Sequence, residues 1–501
     1  MNLYKSKFIT IFRISKYVWA LFHSLTFEVI YCNYKWAKYI EALPTEFSLD
    51  FIKRINLNEK VIEKFLEKGF FLTEDQNEWD AINRLNSDYM SKAEISTLYI
   101  FLTSLCNFSC GYCQIKDLHE TYNLGKEQCI LSKDNFDRAF KIFNKLARTN
   151  GKREIIISGG EPFLYLNNLK YIVNSIKKND QKIGVVTNLT LITNGSRINK
   201  EIIEFIKENA IKVIISLDGT RERHETTRFS NNPNDTYLST VETIKELKKN
   251  NVKIGLSFTI QTANIDFFVD DIKKIISETV PDDVALTFHL HNLSNKGDNP
   301  MQADRIRSVN GLLELFEWAR LKGIYIDGPF RRIRPFVERI PRIRDCNAGT
   351  GRIVLSPDGK LGFCDTFLYS NKYFLNSGDF ISNYEENKIK WGHYTTMNDP
   401  SCADCPALLL CGYGCRFDAN NLTDTIDGKD IHRCVESKIV LDWIIENIYK
   451  LNKDYIFTEI KEVGWAFITE FQRKQLYGKV NPNDEDRPFL VTILNGESKN
   501  I

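Results

Sequence analysis

No stretch of 18 uncharged apolar residues occurs in this 501-residue chain, which excludes a conventional membrane-spanning helix. The closest approach, residues 17–32, is interrupted by His23, Ser24, Thr26 and Glu28, and it reads as a buried hairpin rather than a signal peptide. An excess of one charge is also missing. The 67 basic and 65 acidic side chains nearly cancel, so neither a nucleic-acid nor a membrane partner is expected. Methionine is scarce at four residues, and there is no low-complexity bias or tandem repeat. The length exceeds one ordinary domain, and with 43% hydrophobic residues it can build two or three cores.

What the chain has in quantity is cysteine, twelve residues in clusters. Twelve would suggest disulfides in a small secreted protein; in a long chain, clustered spacings point instead to metal and a reducing, cytoplasmic compartment. Cys106, Cys110 and Cys113 lie within eight residues, directly after an apolar run. Three thiolates on so short a loop can bind three irons of a cubane iron-sulfur cluster, leaving the fourth open to bind and reduce a ligand. Structural zinc is the alternative, but it prefers four ligands in two separated pairs.

The order of elements places this loop. Residues 1–90 read as short aromatic strands and helices, a pattern that suits a winged-helix-like module, followed by an acidic linker over 74–88. Apolar strands are expected at 97–103, 153–158, 182–188, 211–216, 252–260 and 284–290, with amphipathic helices between them, among them 134–148, 201–208, 236–249 and 263–277. Six such units over 95–325 predict an α/β fold, a partial (β/α)6 barrel that stays open. Chemistry in parallel barrels sits at the C-terminal strand ends, where the cysteine triplet falls. Residues 340–435 are cysteine-dense with little apolar periodicity, and 436–501 read as helices and a mobile tail. His289 and His291, alternating on the sixth strand, read as a polar pocket wall.

Cys-x-x-x-Cys-x-Tyr-Cys after a first strand resembles the radical SAM enzymes. The resemblance implies that S-adenosylmethionine binds the open iron of a 4Fe-4S cluster and is cleaved reductively to a 5'-deoxyadenosyl radical, which abstracts a substrate hydrogen. Ser158-Gly-Gly-Glu-Pro-Phe163 is similar to the family's SAM-binding turn, which puts Gly159, Gly160 and Glu161 at the cofactor. Thr187 and Asn188, expected to end the third strand, join the cofactor-binding set. By similarity to Ser-Leu-Asp-Gly segments of the family, so do Ser216 and Arg228; a helix-capping Asp218 and a surface Arg228 are the alternative. Tyr112 either shields the adenine or packs on the cluster.

A second pattern, Cys346-x12-Gly359-x4-Cys364, then Cys402-x2-Cys405-x5-Cys411-x3-Cys415 and Cys434, resembles the SPASM domain. In relatives this domain holds two auxiliary iron-sulfur clusters. The resemblance assigns Cys402, Cys405, Cys411 and Cys434 to one and Cys346, Cys364 and Cys415 to the other. Some relatives place an eighth cysteine where this chain has Arg352, so the second cluster either keeps an open iron or takes another ligand. Asp365 follows Cys364, as in anaerobic sulfatase-maturating enzymes, where an aspartate at this place acts as a base. Cys32 and Cys129 fit neither pattern, and Cys32 reads as a buried small hydrophobe.

The combined resemblance is to maturases of ribosomally made peptides. It implies a precursor peptide bound through its leader by the N-terminal module, and an external reductant such as flavodoxin or ferredoxin. A thioether or other side-chain crosslink is favoured. Peptide epimerisation needs a hydrogen donor, and Cys32 and Cys129 are the only cysteines left over. Oxidation of Cys or Ser to formylglycine is the alternative that Asp365 supports. A catalytically silent scaffold or electron carrier is set aside because the SAM turn is present.

Overall fold

Strands β1 (Asn2–Lys5), β2 (Ile9–Arg13), β3 (Trp19–His23), β4 (Glu28–Cys32), β5 (Glu46–Ser48) and β6 (Phe71–Leu72) begin the chain. The computed structural model describes residues 2–55, 57–73, 77–113, 115, 125–147, 153–230, 235–281, 283–288, 300–370 and 372–480. β1 lies between β5 and β6, while β2, β3 and β4 form a second antiparallel sheet. The β3–β4 pair is the hairpin expected over 17–32, with its turn at Phe27 in the left-handed region (φ 54°). Cys32 is fully buried among Leu21, Ile30 and Trp465. The acidic stretch is no linker: the helix Glu78–Ser91 covers most of it, capped by Asn77, whose side chain accepts from the N–H of Trp79.

Strands β7 (Thr97–Phe101), β8 (Arg153–Ser158), β9 (Thr187–Thr193), β10 (Lys212–Ser216), β11 (Ile254–Ile260) and β12 (Asp283–Phe288) are parallel and adjacent in chain order. β13 (Arg352–Leu355) runs parallel to β7 on its other side, and β14 (Leu361–Gly362) pairs antiparallel with β13. β12 and β14 are the two edges, so the sheet is open among the described residues. Alternation sorts the faces. Leu98, Ile100, Ile155, Ile157, Leu191, Val213 and Ile215 join the core under helices such as Lys133–Leu146 and Leu166–Ile183. The opposite face carries Tyr99, Ser158, Thr190, Ser216 and Ser257, with Ser216 and Ser257 in direct register. Buried Ile156 and Ile214 share this face, so its hydroxyl groups sit among apolar side chains.

One expected strand is displaced. The helix Leu166–Ile183 runs through Lys182 and stops at Gly184 in the left-handed region (φ 69°), so the third strand starts at Thr187 instead of ending there. His289 and His291 lie outside the described residues, as does 481–501. The cysteine-rich segment has no separate core. Ile353, Leu355, Phe363, Phe367, Trp391 and Phe417 belong to the barrel's core, and Leu408–Leu410 to a second one that includes Val440, Ile444 and Ile448 of the helix Ile431–Leu451. β15 (Trp465–Phe467) then pairs with β4, adding a fourth strand to the N-terminal sheet. Buried Glu28 binds Lys68 at 2.9 Å, Arg339 at 2.6 Å and Arg473 at 3.2 Å, joining three distant segments. Among the described residues no helix is long and apolar enough to cross a membrane.

Candidate active site

Cys106, Cys110 and Cys113 occupy the loop that leaves β7 at its C-terminal end. The loop has no regular structure of its own, so its neighbours hold it. The hydroxyl of Thr103 donates to the carbonyl of Cys129 (2.8 Å) and accepts from the N–H of Leu105 (3.0 Å). The N–H groups of Gly160 and Glu161 donate to the carbonyls of Thr103 (2.7 Å) and Leu105 (3.0 Å). Further along, the N–H groups of Ser109 and Gly111 donate to the carbonyls of Phe229 (2.7 Å) and Thr227 (3.1 Å). The cysteine loop is thus clamped between the turn after β8 and the C-terminal end of the helix Arg221–Thr227 that follows β10.

The glycine pair acts on that clamp. A Cβ on Gly159, whose φ is 139°, would lie 2.4 Å from the carbonyl oxygen of Thr103, and one on Gly160 would lie 2.0 Å from that of Leu105. Close approach is required by the cysteine loop itself, and not only by a ligand. Glu161 is fully buried, and its carboxylate accepts from the N–H groups of Phe163 (3.1 Å) and Asn194 (2.9 Å) and from the hydroxyl of Thr193 (2.9 Å). It ties the β8 turn to the β9 turn. Burial pushes its carboxyl up to about 7, above the value it has in an unfolded chain. The native state therefore holds a proton that the unfolded chain has released between about pH 4.5 and 7, so stability falls as pH rises through that window. Denaturant midpoints measured across this range are expected to decline, and the decline should be shallower in Glu161→Gln.

Thr187 and Asn188 do not reach the cysteines. Thr187 pairs with Arg153 at the start of β8 and binds Asp180 through its N–H and hydroxyl, both at 2.9 Å. The end of β9 that does reach the loop is Thr193-Asn194-Gly195. Asn194 Nδ2 lies 3.6 Å from Cys106 Sγ and 3.1 Å from Asn107 Oδ1, and Asn107 Nδ2 donates to Ser196 Oγ at 2.8 Å. Asn-Gly after an apolar alternation is a turn signal, and it marks this strand end better than the earlier Thr-Asn pair.

Behind the loop, Asp218 is fully buried and caps no helix. Its carboxylate accepts from Arg228 Nε (2.7 Å), the N–H of Thr259 (2.9 Å) and the hydroxyl of Tyr112. Arg228 is also buried, with its guanidinium 5.3 Å from the Tyr112 ring. Arg228 is therefore neither a surface charge nor a free receptor for a carboxylate, because Asp218 engages it. Tyr112 is held against this pair, and Ser216 is buried where β10 ends.

The remaining cysteines form two groups. Cys402, Cys405, Cys411 and Cys434 line one cavity of about 290 Å³, together with Tyr413 and Lys429. Cys346, Cys364 and Cys415 are near enough to perturb one another's charge. Burial pushes the Cys364 and Cys411 thiols up to about 12, so both stay protonated unless a cation replaces the proton. Among the described residues no three Cys, His, Asp or Glu gather closely enough for a single ion. A cubane makes a different demand, since each thiolate binds its own iron. The sulfur-only donor sets and the four-cysteine cavity fit that group. Between the two sets runs a buried charge network that the sequence did not announce. Arg433 pairs with Asp345 and, at 2.9 Å, with Glu436; Asp430 accepts from the N–H of Cys415 at 2.9 Å.

Residues 100–278 match the model of the Radical SAM superfamily, and that span covers the cysteine triplet, the glycine turn and the clamping strand ends. The chain carries a radical SAM domain. It is 24% identical over 481 residues to the radical SAM cyclopropyl synthase TigE of Paramaledivibacter caminithermalis, covering 90% of this chain and 98% of that protein. A cysteine-type anaerobic sulfatase-maturating enzyme of Clostridium novyi is 26% identical over 342 residues, 63% of this chain and 86% of the relative. Among solved structures, native anSMEcpe with bound AdoMet and Cp18Cys peptide superposes with a TM-score of 0.59 at 20% identity, over 72% of this chain and 99% of that one, a likeness of fold. The radical SAM match implies S-adenosylmethionine and a 4Fe-4S cluster.

Proposed function

We propose that this chain is a radical SAM/SPASM enzyme that modifies a ribosomally made precursor peptide by closing a bond between side-chain atoms. When bound, the cluster and S-adenosylmethionine would supply a 5'-deoxyadenosyl radical. Cys106, Cys110 and Cys113 would hold the cluster, with Gly159, Gly160, Glu161, Asn194 and Ser216 around the cofactor. The inner face of the sheet, with Ser158, Ser216 and Ser257, would receive the substrate segment. Cys402, Cys405, Cys411 and Cys434, and separately Cys346, Cys364 and Cys415, would hold two auxiliary clusters that exchange electrons with the substrate. The observation that carries this reading is the joint presence of the clamped triplet and the two further all-cysteine groups in one chain.

Likeness along nearly the whole length of a cyclopropyl synthase favours carbon-carbon bond closure over a thioether. The N-terminal sheets support leader binding: β2 is an edge strand, and an extended peptide can add beside it. A flavodoxin or ferredoxin would deliver the electron, and the cytoplasm is the compartment proposed. A formylglycine-forming activity is the second reading, favoured by Asp365 beside Cys364 and by the sulfatase-maturase relative.

Anaerobic incubation of the reconstituted chain with S-adenosylmethionine, dithionite and the product of a small open reading frame sought beside its gene separates the two. The expected outcome is 5'-deoxyadenosine together with a peptide two hydrogens lighter that does not react with hydrazide. A hydrazide-reactive aldehyde transfers the assignment to the second reading. An unmodified peptide alongside deoxyadenosine overturns the peptide-maturase proposal.

A further inference from the structure

Arg352 opens β13 where the segments carrying Cys346 and Cys364 meet. Its backbone N–H donates to the carbonyl of Asn347, the neighbour of Cys346, at 3.2 Å. Its guanidinium Nη2 lies 2.9 Å from Oδ1 of Asp365, the neighbour of Cys364. The arginine side chain is 11% exposed and the aspartate 29%, so the cation is the deeper member of the pair. Nε of Arg352 is buried and has no hydrogen-bond partner. Cys346 and Cys364 both act on the guanidinium electrostatically, and both also act on Cys415. Asp365 engages Nη2, and the unused Nε–H can still donate to an anionic group held by the neighbouring thiols.

We propose that Arg352 is a positioning residue that sets the reduction potential of the cluster held by Cys346, Cys364 and Cys415, with its free Nε–H available to that group and Asp365 offsetting part of its charge. The inference rests on the reading that these three thiols hold a cluster. Net charge and hydrogen bonds to sulfur are among the quantities that fix a cluster's potential. A buried guanidinium favours the reduced, more negative state, and a carboxylate disfavours it. Removing Arg352 removes the cation and the N–H donor and leaves Asp365 unpaired, and all three changes lower the potential. Neutralising Asp365 leaves the cation unopposed and raises it. Arg352 thus occupies the place of an eighth cysteine without ligating: it makes the site easier to reduce than three thiolates and a carboxylate would be.

The test is a potentiometric titration followed by electron paramagnetic resonance on the full, anaerobically reconstituted chain. Cys106, Cys110 and Cys113 are replaced by alanine, so that only the C-terminal cysteines contribute signals. Arg352→Met is expected to shift one midpoint downward by at least tenfold in the reduction equilibrium, about 59 mV for a one-electron couple. Asp365→Asn is expected to shift the same midpoint upward. Opposite signs are what a merely structural role would not produce. Midpoints unmoved in both variants, or moved in the same direction, overturn the proposal. If Arg352→Met fails to load iron, Asp365→Asn decides: an unmoved or lowered midpoint overturns it. Iron and sulfide undiminished by joint replacement of Cys346, Cys364 and Cys415 with alanine overturn the cluster reading itself, and the role of Arg352 falls with it.

Discussion

Gly160→Ala is expected to lower reductive cleavage of S-adenosylmethionine by about 10²-fold or more, the loss typical of a misplaced reacting group. The added Cβ would sit 2.0 Å from the oxygen and 2.4 Å from the carbonyl carbon of Leu105, both backbone atoms that cannot rotate away. Relief requires the loop to move, and overpacking of this kind costs about 1–3 kcal/mol. Leu105 precedes Cys106, and its carbonyl already accepts the N–H of Glu161, so the displacement passes directly to Cys106, a proposed cluster ligand. Deoxyadenosine formed per minute with dithionite, and iron bound per chain, are the two measurements. Gly378→Ala, whose Cβ has no heavy atom within 4 Å, is the control and should behave as the parent does. Parent activity in Gly160→Ala would remove the proposed clamp.

Asp218→Leu is expected to destabilise the chain by about 3–5 kcal/mol, because it leaves the buried Arg228 guanidinium without its counter-charge. The hydroxyl of Tyr112 and the N–H of Thr259 lose the same acceptor. Chemical denaturation provides the measurement, and the double variant Asp218→Leu with Arg228→Met should recover much of the loss, since removing both charges is far milder than removing one. A single variant as stable as the parent would show that the pair is not the support of the cysteine loop.

What could be read along the chain was local. Cys106, Cys110 and Cys113 announce themselves by spacing, and the glycine turn by its place after a strand, because each is a short segment whose chemistry is complete in itself. The six barrel strands follow from apolar alternation, except that the third was expected to end at Thr187-Asn188, six residues before the Thr193-Asn194 pair that ends it. Gly184 decides between them by stopping the preceding helix, and so the contact to Cys106 belongs to Asn194 and not to Asn188. Partners distant in sequence were not legible. Asp218, for which a helix cap was the alternative reading, is the acceptor for Tyr112, Arg228 and Thr259, and the ion pair with Arg228 could not be read from residues ten apart. The cysteine-rich segment looked coreless because its apolar residues follow neither helix nor strand period. They join the barrel's core and the core around the helix Ile431–Leu451 instead of building their own.

The pairing of β15 with β4 also orders the making of the molecule. The N-terminal sheet is begun by the first residues to be synthesised, yet its strand Glu28–Cys32 acquires its second neighbour only when Trp465–Phe467 has been made. At about 5–20 residues per second, the hairpin waits on the order of half a minute with that edge unpaired, while the whole barrel is synthesised. The sheet proposed to receive the substrate's leader is thus among the last parts of the fold to close, and a truncated chain that stops before residue 465 would carry an open strand edge into the cell.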